Sequence, residues 1–231
     1  MTLWLILSGI VAPALFWIGY FYYKDRLQPE PLVKVGLTYL MGFGTAFACL
    51  KTIYLLLPPL GIPADPSALI EGDPLGFFFF CIGVVGGLEE LFKFLPFLVV
   101  LKFFKDFDEE IDGIIYASII ALGFASFENL QYLSEMEGFE LFGRAVATPL
   151  THTIFASIWG YIVGVAFLKK KSLLKAAVLG LVISAVCHGI FDFLNLSAAY
   201  RVMSALLILF IWIWQIRTIE RIQKQESAEQ A

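Results

Sequence analysis

Residues 75–101 read LGFFFFCIGVVGGLEELFKFLPFLVVL, a run in which Glu89, Glu90 and Lys93 are the only side chains of charged type. A membrane-spanning helix needs about 20 consecutive, mostly apolar residues, so this run is long enough to cross a bilayer with a turn to spare. Three charges in its middle are the anomaly: each costs roughly 2.5 to 3.5 kcal/mol to place at the bilayer centre and needs a partner or a purpose. The rest of the 231-residue chain has the same character, with 59% hydrophobic residues, 16% charged residues and a mean hydropathy of +0.82, more apolar surface than a soluble core can hide. A nucleic-acid partner is excluded, because Lys and Arg fall in short clusters between apolar runs and do not line one basic face. Cys49, Cys81 and Cys187 all lie within apolar stretches without CxxC spacing, which predicts packing and not a disulfide framework or a thiolate metal site.

Segmenting by spanning length gives an all-α, polytopic membrane bundle of about seven transmembrane helices, over residues 3–23, 33–57, 75–101, 113–134, 144–168, 173–195 and 199–217. Residues 1–23 lack the basic leader of a signal peptide and read as an uncleaved first span. The connection from Pro58 to Pro74 is the longest loop, and no separate extramembrane domain is expected. The chain reads as one domain over 1–231, with a catalytic core at about 75–195 and a short cytoplasmic tail at about 218–231. Twelve of the sixteen Lys and Arg fall in the first, third and fifth connections and the tail, against Arg144 and Arg201 on the other side, with Lys51 and Lys93 inside spans. Basic residues are retained in the cytoplasm, so the N-terminus is expected outside and the C-terminus inside.

Four spans carry polar groups: Glu89, Glu90 and Lys93 in the third; Glu128, Asn129 and Tyr132 in the fourth; His152 in the fifth; His188 and Asp192 in the sixth. At about 1.5 Å per residue, Glu89, Glu128, His152 and His188 each lie roughly 18 to 24 Å from the cytoplasmic end of their helix. Four helices therefore converge on one polar layer, somewhat outward of the midplane. Glu89 and Lys93 are i,i+4 neighbours, and Glu90 is expected about 100° around the helix, bonding a neighbouring helix instead. Gly83, Gly86 and Gly87 predict close approach of another helix or of a substrate backbone. His188 and Asp192 form a second i,i+4 pair. Glu89, Glu90, His152 and His188 are the catalytic candidates, with Lys93, Glu128, Asn129, Tyr132 and Asp192 in support. The plainer readings fall elsewhere: Lys51 snorkels, Glu109, Glu110 and Asp112 form a solvated loop, and Phe77 to Phe80 face lipid or fill space.

These residues resemble the PrsW-type intramembrane proteases, a family related to the CAAX-processing and bacteriocin-processing membrane endopeptidases. Glu89-Glu90-Leu91-Phe92-Lys93 looks like the family's EExxK, Phe127-Glu128 through Tyr132 like its FExxxY, His152 with Ala156, Ser157 and Gly160 (HxxxASxxG) like the segment around its first histidine, and His188 to Asp192 like its HxxxD. Gln28-Pro29-Glu30-Pro31 resembles the segment the family carries after its first span. Lys93 and Asp192 stand where the CAAX-processing relatives have Arg and Asn, which argues against a prenylated substrate. The resemblance implies an endopeptidase in a prokaryotic cell membrane that cleaves a membrane-anchored protein within or beside the bilayer, with site-one-type cleavage of a regulatory protein as one form, and the depth of the polar layer points to the outer half. Hydrolysis can run two ways on this set. A zinc ion could be held by His152 and His188 with Glu128 or Asp192, leaving Glu89 as base. Alternatively Glu89 and His152 activate water with no cofactor while His188 and Asp192 stabilise the oxyanion, the version this reading slightly prefers. The rival function is a proton-coupled transporter or channel using the same layer as a relay.

Overall fold

The computed structural model describes residues 3–132, 138–196 and 200–229, and all regular structure within them is helical. The helices are α1 (Leu3–Lys24), α2 (Leu32–Leu56), α3 (Ser67–Gly72), α4 (Pro74–Phe103), α5 (Glu110–Tyr132), α6 (Gly138–Leu168), α7 (Leu173–Leu196) and α8 (Arg201–Glu229). All but the short α3, which occupies the long loop, are apolar and long enough to cross a membrane, giving seven among the described residues. The expected starts and ends hold to within a few residues, apart from the start of the fifth span's helix, six residues earlier than expected at Gly138, and the end of the last span; residues 133, 134 and 199 of the expected spans lie outside the described residues. Asp73 starts α4, accepting the Gly76 backbone N–H at 2.9 Å ahead of Pro74, whose missing N–H costs nothing at a first helical turn.

Helix α5 is the axis of the bundle: every residue from 111 to 126 is buried, and α1, α2, α4 and α6 pack around it. Helix association in lipid has no hydrophobic driving force, so it relies on close packing, and small residues supply it. A Cβ at Gly42 on α2 would collide with the Ile120 carbonyl of α5, and Gly113 and Gly160 face each other where α5 crosses α6. Large side chains fill the remaining space, with Phe94, Phe97, Tyr116 and Trp159 joining α4, α5 and α6.

The stretch from residue 218, expected as a short tail, is helical: α8 continues to Glu229, and Ile219 and Ile222 recur on one helical face and are buried against Trp17, Phe21, Ile111 and Ile115. Asp112 is not solvated but buried, accepting the backbone N–H groups of Asp108 (2.9 Å) and Glu109 (2.8 Å) and so capping α5. Of the glycines before Glu89, Gly86 meets the Ala185 carbonyl of α7 as expected, but Gly83 faces open space. The helix is also not uniform there: residues Cys81–Gly86 form a π-helical turn that shifts the face on which the following carboxylates emerge. The phenylalanine run takes both of the roles expected of it, with Phe77 and Phe80 buried as packing and Phe79 exposed.

Candidate active site

Immediately after the π turn, Glu89 and Glu90 leave α4 toward the bundle interior, and Lys93 one turn on lies between them. Its Nζ is 2.8 Å from Glu90 Oε1 and 3.3 Å from Glu89 Oε2. The expectation that the two carboxylates could not share a partner is therefore wrong: i,i+3 and i,i+4 neighbours of a long lysine both reach its ammonium. The same ammonium sits 4.6 Å from the centre of the Phe124 ring. Lys93 is wholly buried, and pairing with both carboxylates offsets the cost of removing three charges from water.

Glu90 is enclosed on every side. Besides Lys93, it receives the Trp159 indole N–H at 2.9 Å, and His188 Nδ1 lies 2.8 Å away. Two helices thus use this one carboxylate to fix their position relative to α4. His188 is further held by Phe155, stacked on its ring at 4.8 Å between centroids. Because Nδ1 faces Glu90, the proton belongs there, and Nε2 presents a lone pair. That Nε2 lies 3.9 Å from Glu89 Oε2 and 3.4 Å from Asp192 Oδ2.

His152 is arranged the same way with the nitrogens exchanged. Nε2 contacts Glu128 Oε2 at 2.8 Å, and Nδ1 turns to Glu89 Oε2 at 3.8 Å. Glu128 is itself held by Arg144, whose guanidinium lies 2.6 Å from Oε1 and 3.9 Å over the Tyr132 ring. His152 Nδ1 is buried without a hydrogen-bond partner. One oxygen of Glu89 and one nitrogen of each histidine thus lie within 4.8 Å of one another. At metal–ligand distances of about 2.0 to 2.2 Å, donors around one zinc stand roughly 3.3 Å apart, so small side-chain rotations close this set on an ion. Two imidazoles and a carboxylate are a donor set that suits zinc, and the buried His152 Nδ1, without a hydrogen-bond partner, is compatible with a ligand role. The set differs from the one read in the sequence: Glu89, not Glu128, faces both histidines, since Glu128 is occupied by Arg144 and His152 Nε2.

Asp192 lies beside His188, with Oδ2 buried and without a hydrogen bond. Asn129 is buried, and among the described residues no hydrogen bond or ion pair joins it to the cluster; Tyr132 meets the cluster through Arg144 and lines the same cavity as Glu89 and Glu128. Arg144 and Trp159 were missed as site residues. They stand eight residues before and seven after His152, spacings that return to one face of α6, and that was the available signal. A cavity of about 150 Å³ reaches Glu89 and Glu128 past Cys49, Ile53, Phe124 and Phe127, and so leads from α2 to the polar layer.

The family profile described as PrsW family intramembrane metalloprotease matches residues 30–216, across all the helices that build this cluster. The chain belongs to this family of intramembrane proteases. Among the PrsW proteins it resembles, the Protease PrsW of Oceanobacillus iheyensis is 32% identical over 219 residues, covering 94% of this chain and 95% of that protein. That of Clostridioides difficile is 34% identical over 220 residues, covering 91% and 85%, and that of Bacillus subtilis is 29% identical over 218 residues, covering 94% of each. No solved structure matches the chain. With seven apolar helices and PrsW relatives from bacteria, it is a multi-pass bacterial membrane protein and an endopeptidase; the transporter reading has no support in these findings.

Proposed function

We propose that Glu89, His152 and His188 hold a zinc ion, and that around it this PrsW-family protease hydrolyses a peptide bond of a membrane-anchored protein in the outer half of the bilayer. One observation carries the metal reading: both histidines turn a ring nitrogen toward the same Glu89 oxygen, at 3.8 and 3.9 Å, while their other nitrogens lie against Glu128 and Glu90. Carboxylates behind ligating histidines are the usual means of fixing tautomer and ring orientation. A bound zinc ion would polarise the scissile carbonyl and acidify water.

The chain's own groups supply the rest. Glu90 and Glu128 fix the tautomer of the two imidazoles and aim their other nitrogens at Glu89. Lys93 balances the charge of Glu89 and Glu90. Asp192 Oδ2, 3.4 Å from His188 Nε2 and otherwise without a hydrogen bond, takes the proton of the attacking water and returns it to the leaving amine. The cavity beside Cys49 and Phe127 gives the substrate strand its approach, because an extended peptide must meet Glu89 from outside the bundle. Prenylated substrates are not expected, and a membrane-anchored regulatory protein is the class that suits a buried site with so small an opening.

The test is purification in detergent with measurement of bound zinc and of cleavage of a tagged single-span substrate. Wild type is expected to carry about one zinc per chain, to lose cleavage on chelation and to regain it with zinc, whereas E89Q, H152A and H188A neither bind zinc nor cleave. Cleavage that survives complete removal of metal would sink the metal site and leave Glu89 with His152 activating water directly.

A further inference from the structure

We propose that the groove between α6 and α8, at the end of the bundle carrying Lys169 and Arg221, is a binding site for one anionic phospholipid, its phosphate held by Arg217 and Arg221. The groove, about 490 Å³ in volume, lies far along α6 and α8 from the polar layer and is lined by Tyr161, Phe210, Ile213, Trp214, Arg217 and Arg221, with no carboxylate among the described lining residues. Its polarity is graded. Phe210, Trp214, Arg217 and Arg221 follow one another at four-, three- and four-residue intervals, so they form one stripe along α8. From Phe210 to Arg221 that stripe is roughly 16 Å long, about the thickness of one leaflet's hydrocarbon.

Each level of the stripe matches one part of a phospholipid. Arg217 is exposed and makes no hydrogen bond or ion pair among the described residues, so its guanidinium is available to an anion. Arg221 is held in place: it donates to the Tyr161 hydroxyl at 2.7 Å and lies 5.9 Å from the ring centre. Two guanidinium groups one turn apart give the forked donor geometry that suits a phosphate diester. Trp214 stands edge-on to Tyr161 at 6.2 Å and occupies the level of the glycerol esters, where indole and phenol rings settle at a bilayer interface. Below it Ile213 and Phe210, 41% and 73% exposed, offer an apolar wall to an acyl chain. A soluble phosphate would use only the top of this groove, whereas an anionic lipid uses all of it. Basic residues gathered at one end of a bundle are also where anionic headgroups concentrate.

Native mass spectrometry of the delipidated full chain, titrated with phosphatidylglycerol or with phosphatidylcholine of the same chains, reads this directly. Wild type is expected to retain one phosphatidylglycerol in preference to phosphatidylcholine. R217Q/R221Q should lower that affinity roughly thirtyfold, at the contribution usual for two interfacial arginines. K171Q/K175Q, which removes two exposed lysines at the same end, should leave it unchanged. Phosphatidylglycerol brominated in its chains should quench tryptophan fluorescence in wild type and much less in W214F. Equal losses in the arginine and lysine pairs, or undiminished retention in R217Q/R221Q, would overturn the site. So would displacement of the lipid by glycerol 1-phosphate at comparable concentration, which would mean that the arginines bind phosphate and the groove contributes nothing. Unchanged zinc content in R217Q/R221Q separates this result from any failure of the active-site assignment.

Discussion

Glu89 and Glu90 are adjacent, yet their surroundings assign them opposite tasks. Glu90 is completely enclosed by Lys93, Trp159 and His188 and has no path to a substrate; Glu89 keeps one oxygen turned to two imidazoles and borders the cavity. Exchanging each for glutamine should therefore give different results. E89Q is expected to abolish cleavage and zinc binding together. E90Q leaves the ligands in place but loosens His188, so zinc affinity should fall about 10- to 100-fold, with cleavage restored by excess zinc. A milder variant isolates the orientation effect: W159F keeps the ring in the core but removes the indole donor, and should weaken zinc binding by about tenfold without changing the fold. If W159F bound zinc as wild type does, Glu90 would not need its third partner to position His188. The ionisable members of this network were legible in the sequence because lipid makes every buried charge conspicuous. Trp159 and Arg144 were not, since a tryptophan in an apolar span and an arginine near a span end each have an ordinary explanation, and only the contacts with Glu90 and Glu128 distinguish them.

Two elements carry the positioning of the site, and each makes a separate prediction. The π turn Cys81–Gly86 and the glycines around it bring α4 against α7: a Cβ at Gly86 would strike the Ala185 carbonyl, while one at Gly83 would meet nothing. G86A is accordingly expected to cost about 1 to 3 kcal/mol, seen as a lower melting temperature in detergent, and G83A to be neutral or slightly stabilising, as the loss of a helical glycine usually is. The sequence pointed to small residues here but not to which of them is in contact, because helical phase after a π turn no longer follows the 3.6-residue count. The second element is the connection between α1 and α2. Gln28 bonds Glu109, the Glu30 backbone N–H donates to Asp25 at 2.9 Å, and the Tyr116 hydroxyl of α5 donates to the Glu30 carboxylate, so this short segment anchors two spans on the central helix. Burial, partly countered by the Tyr116 hydrogen bond, pushes the Glu30 carboxyl up to about 7. Between its ordinary range near 4.5 and 7, the folded protein binds the proton that the unfolded chain has released, so stability is greatest on the acid side and declines as pH rises through that window. Melting temperature should therefore fall from pH 5 to pH 8 in wild type, and E30Q should flatten that decline; an unaltered slope in E30Q would assign it to other groups, among them Glu109, whose burial raises it in the same direction.

At the scale of the whole molecule, the seven spans and their common polar layer followed from length and charge alone, since lipid permits few alternatives to apolar helices of about 20 residues. The centrality of α5 did not follow, because a helix surrounded by protein and one surrounded by lipid are equally apolar; the packing of Gly42 and Gly113 decides it. Orientation is the remaining large-scale consequence. From the distribution of lysine and arginine we propose that the N-terminus lies outside and α8's far end in the cytoplasm, a polarity in which Arg144 and the opening beside Tyr132 would face outward and Arg221 and Lys169 inward. A fusion of green fluorescent protein after residue 231 should then fluoresce, and an alkaline phosphatase fusion at the same place should be inactive, with the reverse result for phosphatase fused within the loop between α2 and α4. Labelling adds an independent check, since a cysteine introduced at Lys171 should be protected from an impermeant maleimide in intact cells and one at Pro63 should react. The opposite pattern would turn the catalytic opening toward the cytoplasm, and the substrates then sought would be proteins presenting their cleavage site on that side of the membrane.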